Sequence, residues 1–389
     1  MTKQTIYIID DDKEIINLLI EYARLLGYQP CAYTDAAIFF AEYAPNQDDA
    51  VMILDLNMPG MDGVEVMREM ASKGIALPLI LSSGYDSGVL HSAEQLAKAY
   101  ALDIIASLKK PFKFNTFKRI LQDYRKSEQR YIQPQYRPIT VAEWEAAISE
   151  EQLLLHYQPQ IDIKTGAVIG VEALVRWMHP QHGLIYPDLF ISMAEDNGLI
   201  GDLTALVVKQ AVECVLSWQN KNIALRVSVN ISAENITSLS LPEQFTQLLK
   251  ENNLNPSMLM LEVTETALME ELVTFLDILT RLRMKGIELS IDDFGTGFSS
   301  LSQLYRVPFT ELKVDQSFVM SMTHDSEARG IVKTCIRLGH ELNMKVVAEG
   351  VENQEVWDQL VQLGCDIAQG YFIAKPMPPS DFLEWFKQR

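Results

Sequence analysis

Two α/β domains in series are what this 389-residue chain predicts: a doubly wound parallel sheet, then a parallel (β/α)8 barrel of the TIM type. Three observations carry that expectation. Short apolar runs alternate with amphipathic segments from end to end, the pattern of repeated βα units. A basic, proline-broken stretch interrupts the alternation near residues 125–140. Beyond it, seven short apolar runs each end in a polar group, within a segment of about 250 residues, the usual size of such a barrel. The expected division is residues 1–125, a linker at 126–140, and residues 141–389.

In the first domain, TIYII (5–9) opens as a strand, and an amphipathic helix over 14–26 follows, closed by Gly27 as C-cap. VMILDL (51–56), LPLILSS (77–83) and IIASL (104–108) are apolar throughout, as strands covered on both faces are. Asp10, Asp11, Asp55, Ser83 and Lys110 all fall at the carboxyl ends of these runs, where ligands bind in doubly wound folds. The set suits phosphoryl acceptance. Acids hold Mg²⁺, a hydroxyl meets a phosphoryl oxygen, and a lysine pairs with the developing charge.

The segment 114–131 is basic and helix-like, and Pro134 and Pro138 end it. Thr140 and Glu143 have capping-box spacing for a new helix. The seven runs that follow end in Glu172, Asn230, Glu262, Asp292 with Asp293, Lys313 with Asp315, Glu349 and Gln369. A parallel barrel gathers strand ends around one pocket. So many acids on one axis repel unless cations hold them, and oxygen donors of this kind suit Mg²⁺ or Mn²⁺. Adjacent Asp292 and Asp293 point to opposite faces of a strand, but Gly295 and Gly297 free the backbone there. Lys313 can steady a transition state and Glu349 can take a proton from an attacking water. Any one of these acids alone is more often a surface residue or a helix cap than a ligand. His179 and His182 have no partners at zinc spacing.

The net charge of −19 opposes binding to nucleic-acid backbone, so direct DNA binding is not expected. Cys31, Cys214, Cys335 and Cys365 show neither CxxC nor zinc spacing and fit reduced thiols. MTKQTIYIIDDD is unlike a signal peptide, and no apolar stretch nears the ~20 residues of a membrane span. A cytoplasmic protein without membrane insertion is expected.

Two resemblances sharpen the reading. IIDDD, ILDLNMPGMDG, SSG and KKPF resemble, in order, the flavodoxin-like receiver domain of bacterial response regulators over residues 4–125. The resemblance implies Asp55 as phosphoacceptor, Asp11 as direct and Asp10 as water-mediated Mg²⁺ ligand, and Ser83 and Lys110 as readers of the phosphoryl group. It also implies a sensor histidine kinase as phosphodonor. Ser107 stands where many receivers carry a switch Tyr or Phe, so the usual aromatic step lacks its side chain here.

YQPQIDIKTGAVIGVEALVRW, SVNIS, LEVTET, IDDFGTGFSSL, LKVDQSFV, VVAEGVE and AQGYFIAKPMP are similar to the EAL-domain family of cyclic di-GMP phosphodiesterases, over residues 140–389. That similarity implies hydrolysis of cyclic di-GMP to linear pGpG with two bound cations. It implies Glu172, Asn230, Glu262, Asp292 and Asp293 as metal ligands, with Lys313 and Glu349 serving the attacking water. Gln369 would line the metal site, Asp315 would support it, and Gln158 and Arg176 would contact guanine or phosphate. Glu265 would brace the loop 293–300, which links the site to a homodimer or larger oligomer. EALV, GF and AKPMP depart from the commoner EALL, GY and SRPMP without removing a charged catalytic group. The expectation is a response regulator whose phosphorylation modulates a phosphodiesterase. A catalytically silent cyclic di-GMP receptor is the alternative, and a barrel enzyme abstracting a proton with Lys313 near Mg²⁺ is a remoter one.

Overall fold

The computed structural model describes residues 4–43, 50–84, 87–131, 139–269, 272–296 and 301–389. The chain divides into two compact units, Met1–Gln135 and Tyr136–Arg389. Among the described residues no helix is long and apolar enough to cross a membrane.

The first unit alternates strand and helix: β1 (Thr5–Ile9), α1 (Lys13–Leu25), β2 (Gln29–Tyr33), α2 (Ala36–Glu42), β3 (Ala50–Asp55), α3 (Gly63–Lys73), β4 (Leu79–Ser83), α4 (Ser87–Ala99), β5 (Ile104–Lys109) and α5 (Phe114–Tyr131). The strands form one parallel sheet in the order β2-β1-β3-β4-β5. Successive side chains leave a strand on opposite faces. Ile6, Ile8, Val51 and Ile53 therefore enter one core, and Tyr7, Ile9, Met52 and Leu54 the other. That two-sided burial explains the uninterrupted apolar runs. β2 had no such run, because QPCAY lies at the sheet edge, where Pro30 is tolerated. Asp12 caps α1 by accepting from the Glu14 N–H at 2.8 Å. α5 continues six residues past 125, into the segment expected as linker.

The second unit opens with α6 (Val141–Ser149), held by the Thr140–Glu143 capping box. It continues with β6 (Leu153–Asp162), β7 (Val168–His179), β8 (Gly183–Ile185), α7 (Ile191–Asp196), α8 (Ile200–Gln219), β9 (Arg226–Asn230), α9 (Leu241–Glu251), β10 (Leu259–Thr264) and α10 (Leu272–Met284). β11 (Glu288–Phe294), α11 (Leu301–Arg306), β12 (Glu311–Val314), α12 (Gln316–Ser321), α13 (Ser326–Glu341), β13 (Lys345–Ala348), α14 (Gln354–Leu363), β14 (Ile367–Ala368) and α15 (Pro379–Lys387) complete it. Strands β6, β7 and β9 to β14 close into a ring of eight, and β8 pairs outside it with β7.

The barrel is parallel except at β6, which runs antiparallel to both β7 and β14. The cause is local. Only residues 163–167 separate β6 from β7, with Gly166 at φ 72°. A parallel crossover needs a dozen or more residues, so so short a link can only make a hairpin. Each of the seven expected runs lies on a barrel strand, and β6 supplies the eighth.

Candidate active site

The parallel strands deliver their last side chains to one end of the barrel. Lys313, near the end of β12, is wholly buried there. Its Nζ lies 2.7 Å from Glu262 Oε2, 2.7 Å from Glu349 Oε1, 3.0 Å from Asp292 Oδ2 and 3.7 Å from Glu172 Oε2. Burial works against its charge, but the surrounding carboxylates overcome that and hold its pKa well above the usual lysine range. Burial pushes Glu262 and Glu349 well up; the Lys313 ammonium opposes this, and neighbouring acids add to it.

The remaining acids are pinned by amides and backbone. Asn230 donates from Nδ2 to Glu172 Oε1 at 2.8 Å, and Gln369 Nε2 donates to Glu172 Oε2. Gln369 Nε2 also reaches Gln158 Oε1 at 3.0 Å. Asp293 takes the left-handed backbone, φ 55°, which turns its carboxyl back toward Asp292 rather than to the opposite face. Its N–H donates to Asp292 Oδ1 at 2.9 Å. Burial, then Asp292 and Asp315, push the Asp293 pKa up to about 6.

Asp315 also caps α12, accepting from the Ser317 N–H at 2.9 Å. Glu265 accepts from the Gly295 N–H at 2.8 Å, at the start of the loop 293–300, whose residues 297–300 lie outside the described residues. Arg176 is buried on β7, with its Nη1 on the Val175 carbonyl at 2.7 Å and its guanidinium 5.2 Å from the Tyr186 ring centre.

Two overlapping sets of donors fit hard cations. Glu172, Glu262 and Asp292 place carboxylate oxygens within 4.8 Å of one another, and so do Asp292, Asp293 and Glu349. Asp292 belongs to both. Glu262 Oε1 is buried and has no hydrogen-bond partner among the described residues, and a carboxylate oxygen so placed suits a divalent ion. Beside this cluster lies a cavity of about 620 Å³, walled by Leu174, Pro187, Ile191 and Ser232 and reaching Asn230 and Asp293. Sequence reasoning passed over Gln160. It shares its strand face with Gln158 and donates to Gln369 Oε1 at 3.1 Å. The alternation in QPQ was the available signal.

The first unit gathers its own site. Asp10, Asp11 and Asp55 place carboxylate oxygens within 4.8 Å of one another. Lys110 Nζ lies 2.6 Å from Asp10 Oδ2 and 3.0 Å from Asp55 Oδ2. Burial raises the Asp55 pKa despite the Lys110 hydrogen bond, and Oδ1 of Asp55 lacks a hydrogen-bond partner among the described residues. Ser83, buried at the end of β4, offers its carbonyl to the Lys110 N–H at 2.8 Å. An oxygen-lined triad with an unmatched carboxylate oxygen suits Mg²⁺.

Comparison with known proteins agrees with both domains. The EAL domain model matches residues 141–376, and the response regulator receiver domain model matches residues 6–122. The cyclic di-GMP phosphodiesterase RocR of Pseudomonas aeruginosa is 32% identical over 338 residues, 86% of this chain and 86% of RocR. The bifunctional diguanylate cyclase/cyclic di-GMP phosphodiesterase MucR of the same organism is 42% identical over 238 residues, 61% of this chain and 35% of MucR. The chain thus spans about a third of MucR's length. The structure of the PaMucR phosphodiesterase in complex with c-di-GMP aligns at a TM-score of 0.60 and 41% identity, over 62% of this chain and 98% of that one. With its fold, its two strand-end sites and these matches, the chain belongs to the EAL domain family and carries a response regulator receiver domain before it.

Proposed function

We propose that this chain is a two-component response regulator that hydrolyses cyclic di-GMP to linear pGpG, under the control of phosphorylation at Asp55. The observation that carries the reading is the pair of acidic triads sharing Asp292 around a buried Lys313, beside a cavity sized for a nucleotide. Glu172, Asn230, Glu262, Asp292 and Asp293 are the residues that hold two Mg²⁺ or Mn²⁺ ions. Bound there, the ions lower the pKa of water and offset phosphodiester charge.

The protein's own groups do the rest. Glu349 accepts the proton of the attacking water, and burial and the neighbouring acids hold its pKa above the usual carboxyl range. Lys313 keeps its charge against four carboxylates and steadies the negative charge that builds on phosphorus oxygens. Arg176 supplies a fixed cation for a substrate phosphate in an otherwise acidic site, and Gln158 meets the nucleotide. Asp315 holds Asp293, and Glu265 fixes Gly295.

In the first unit, an Asp55 carboxylate oxygen attacks the phosphorus of a phosphodonor, a histidine kinase in the cell, and the P–N bond to the donor breaks. Lys110 and Ser83 then receive the phosphoryl oxygens, with Asp10 and Asp11 holding Mg²⁺. We place the protein in the cytoplasm, as a homodimer or larger homo-oligomer that does not bind DNA. The test is incubation of cyclic di-GMP with Mg²⁺ or Mn²⁺, with and without acetyl phosphate, and chromatography of the products. Release of pGpG supports the enzyme. Tight binding without pGpG in either condition overturns it in favour of a receptor.

A further inference from the structure

A cation far down the barrel decides which way the amides of the site point. Arg226, the first residue of β9, pairs through Nη2 with Glu311, wholly buried at the start of β12. The same Nη2 donates to Gln160 Oε1 at 3.2 Å. Gln160, 0% exposed, passes its own Nε2 donor to Gln369 Oε1 at 3.1 Å. Gln369 then donates from Nε2 to Gln158 Oε1 at 3.0 Å and to Glu172 Oε2. Gln158 ends the series by donating to the Ala374 carbonyl at 3.1 Å.

Room for this chain comes from a missing side chain. Gly170 on β7 is the register partner of both Gln160 and Arg226. A Cβ at Gly170 would stand 2.7 Å from Arg226 Cγ and 3.1 Å from Gln160 Oε1.

The chemistry of the series has one direction. A guanidinium donates only, whereas each amide has one accepting and one donating end. Once Arg226 claims the carbonyl of Gln160, its amino group must face Gln369, and the carbonyl of Gln369 must face Gln160. The amino group of Gln369 is left for Glu172. With the guanidinium absent, either amide can turn end for end, and a reversed Gln369 would set a carbonyl oxygen against a carboxylate.

We propose that Gln160, anchored by the Arg226–Glu311 pair, is a positioning residue that fixes Gln369 as a donor and so holds Glu172 in its metal-ligating pose. This rests on the reading of Glu172 as a metal ligand. Asn230 pins one Glu172 oxygen and Gln369 the other, so the carboxylate plane is set before an ion arrives and a lone pair on each oxygen stays available.

The experiment is calorimetric titration of the full-length, metal-free protein with Mn²⁺, for wild type, Gln160→Met and Gln160→Glu. Methionine keeps the length and packing of glutamine but makes neither hydrogen bond. Glutamate keeps the bond from Arg226 and, at neutral pH, has no proton to give Gln369. Both variants are expected to bind Mn²⁺ about 10- to 100-fold more weakly, the usual cost of losing an outer partner of a metal ligand. The Tm of metal-free Gln160→Met should stay near that of wild type, and kcat should recover as Mn²⁺ is raised.

A role in packing alone requires the opposite split, a lowered Tm with Mn²⁺ affinity intact, and that result overturns the proposal. Should Gln160→Met not fold, the isosteric Gln160→Glu decides: wild-type affinity there overturns the proposal equally. If wild-type protein binds Mn²⁺ and releases pGpG while the variants match it, only the relay falls. If wild type does neither, the functional reading falls and takes the relay with it.

Discussion

At the scale of single residues, the site is a contest between burial and charge. Lys313 has no access to solvent, yet four carboxylates keep it charged. Glu349 touches it at 2.7 Å, and the proposed mechanism gives Glu349 the proton-accepting role. Glu349→Ala should therefore lower kcat by about 10²- to 10⁴-fold, the range for loss of a general base, with cyclic di-GMP binding retained. Near-normal turnover of that variant would remove Glu349 from the mechanism.

Asp293 makes a second expectation. Its pKa, pushed up to about 6, means that the folded protein holds this proton more tightly than the unfolded chain does. The stability that Asp293 contributes to the metal-free protein should therefore be lost as pH rises from about 4, the ordinary carboxyl value, through about 6. Because a ligating carboxylate must be ionised, Mn²⁺ affinity should climb as pH rises through about 6. Affinity that is flat from pH 5 to 7 would take Asp293 out of the metal site.

At the scale of elements, what was legible followed from strand direction. Asn230, Glu262, Asp292, Lys313 and Gln369 lie at or within two residues of the ends of parallel strands, and Glu172 closes the apolar run that opens β7, so apolar runs closed by polar groups identify them in order. β6 runs the other way, and its Gln158 and Gln160 reach the interior from mid-strand, where no run ends to mark them. Pro159 further disguises this strand, since proline reads against a central position. β2 was illegible because an edge strand can be short and half exposed. The backbone turn at Asp293 was likewise invisible, since a residue's sequence does not disclose a positive φ outside glycine.

Close approach also limits the element that carries Gln369. A Cβ on Gly370 would lie 2.2 Å from the Val351 carbonyl oxygen and 2.3 Å from its nitrogen, both backbone atoms. Gly370→Ala should cost roughly 1–3 kcal/mol, as overpacking does, and should weaken Mn²⁺ binding by dragging Gln369. An unchanged Tm would show that the backbone there yields.

At the scale of the whole molecule, two units each bury a core of their own. Asp55 and the barrel acids are separate chemical sites, so control must be measured as an effect of one on the other. Acetyl phosphate should change the rate of pGpG release in wild type and have no effect in Asp55→Ala, whose basal rate persists. A response surviving in Asp55→Ala would move the phosphoacceptor elsewhere.

The reversed β6 has a last consequence, in time rather than in space. β6 and β7 are neighbours in sequence and can pair early, as a hairpin. Its other flank waits for Ile367 and Ala368, about two hundred residues later, to arrive from the far end of the chain. The ring should thus be sealed late, on a strand two residues long. A seam joined late and held by few bonds is where native-state amide exchange begins. Amides at Ile367 and Ala368 should exchange before those of β10 and β11, and binding of Mn²⁺ beside Gln369 should slow them most.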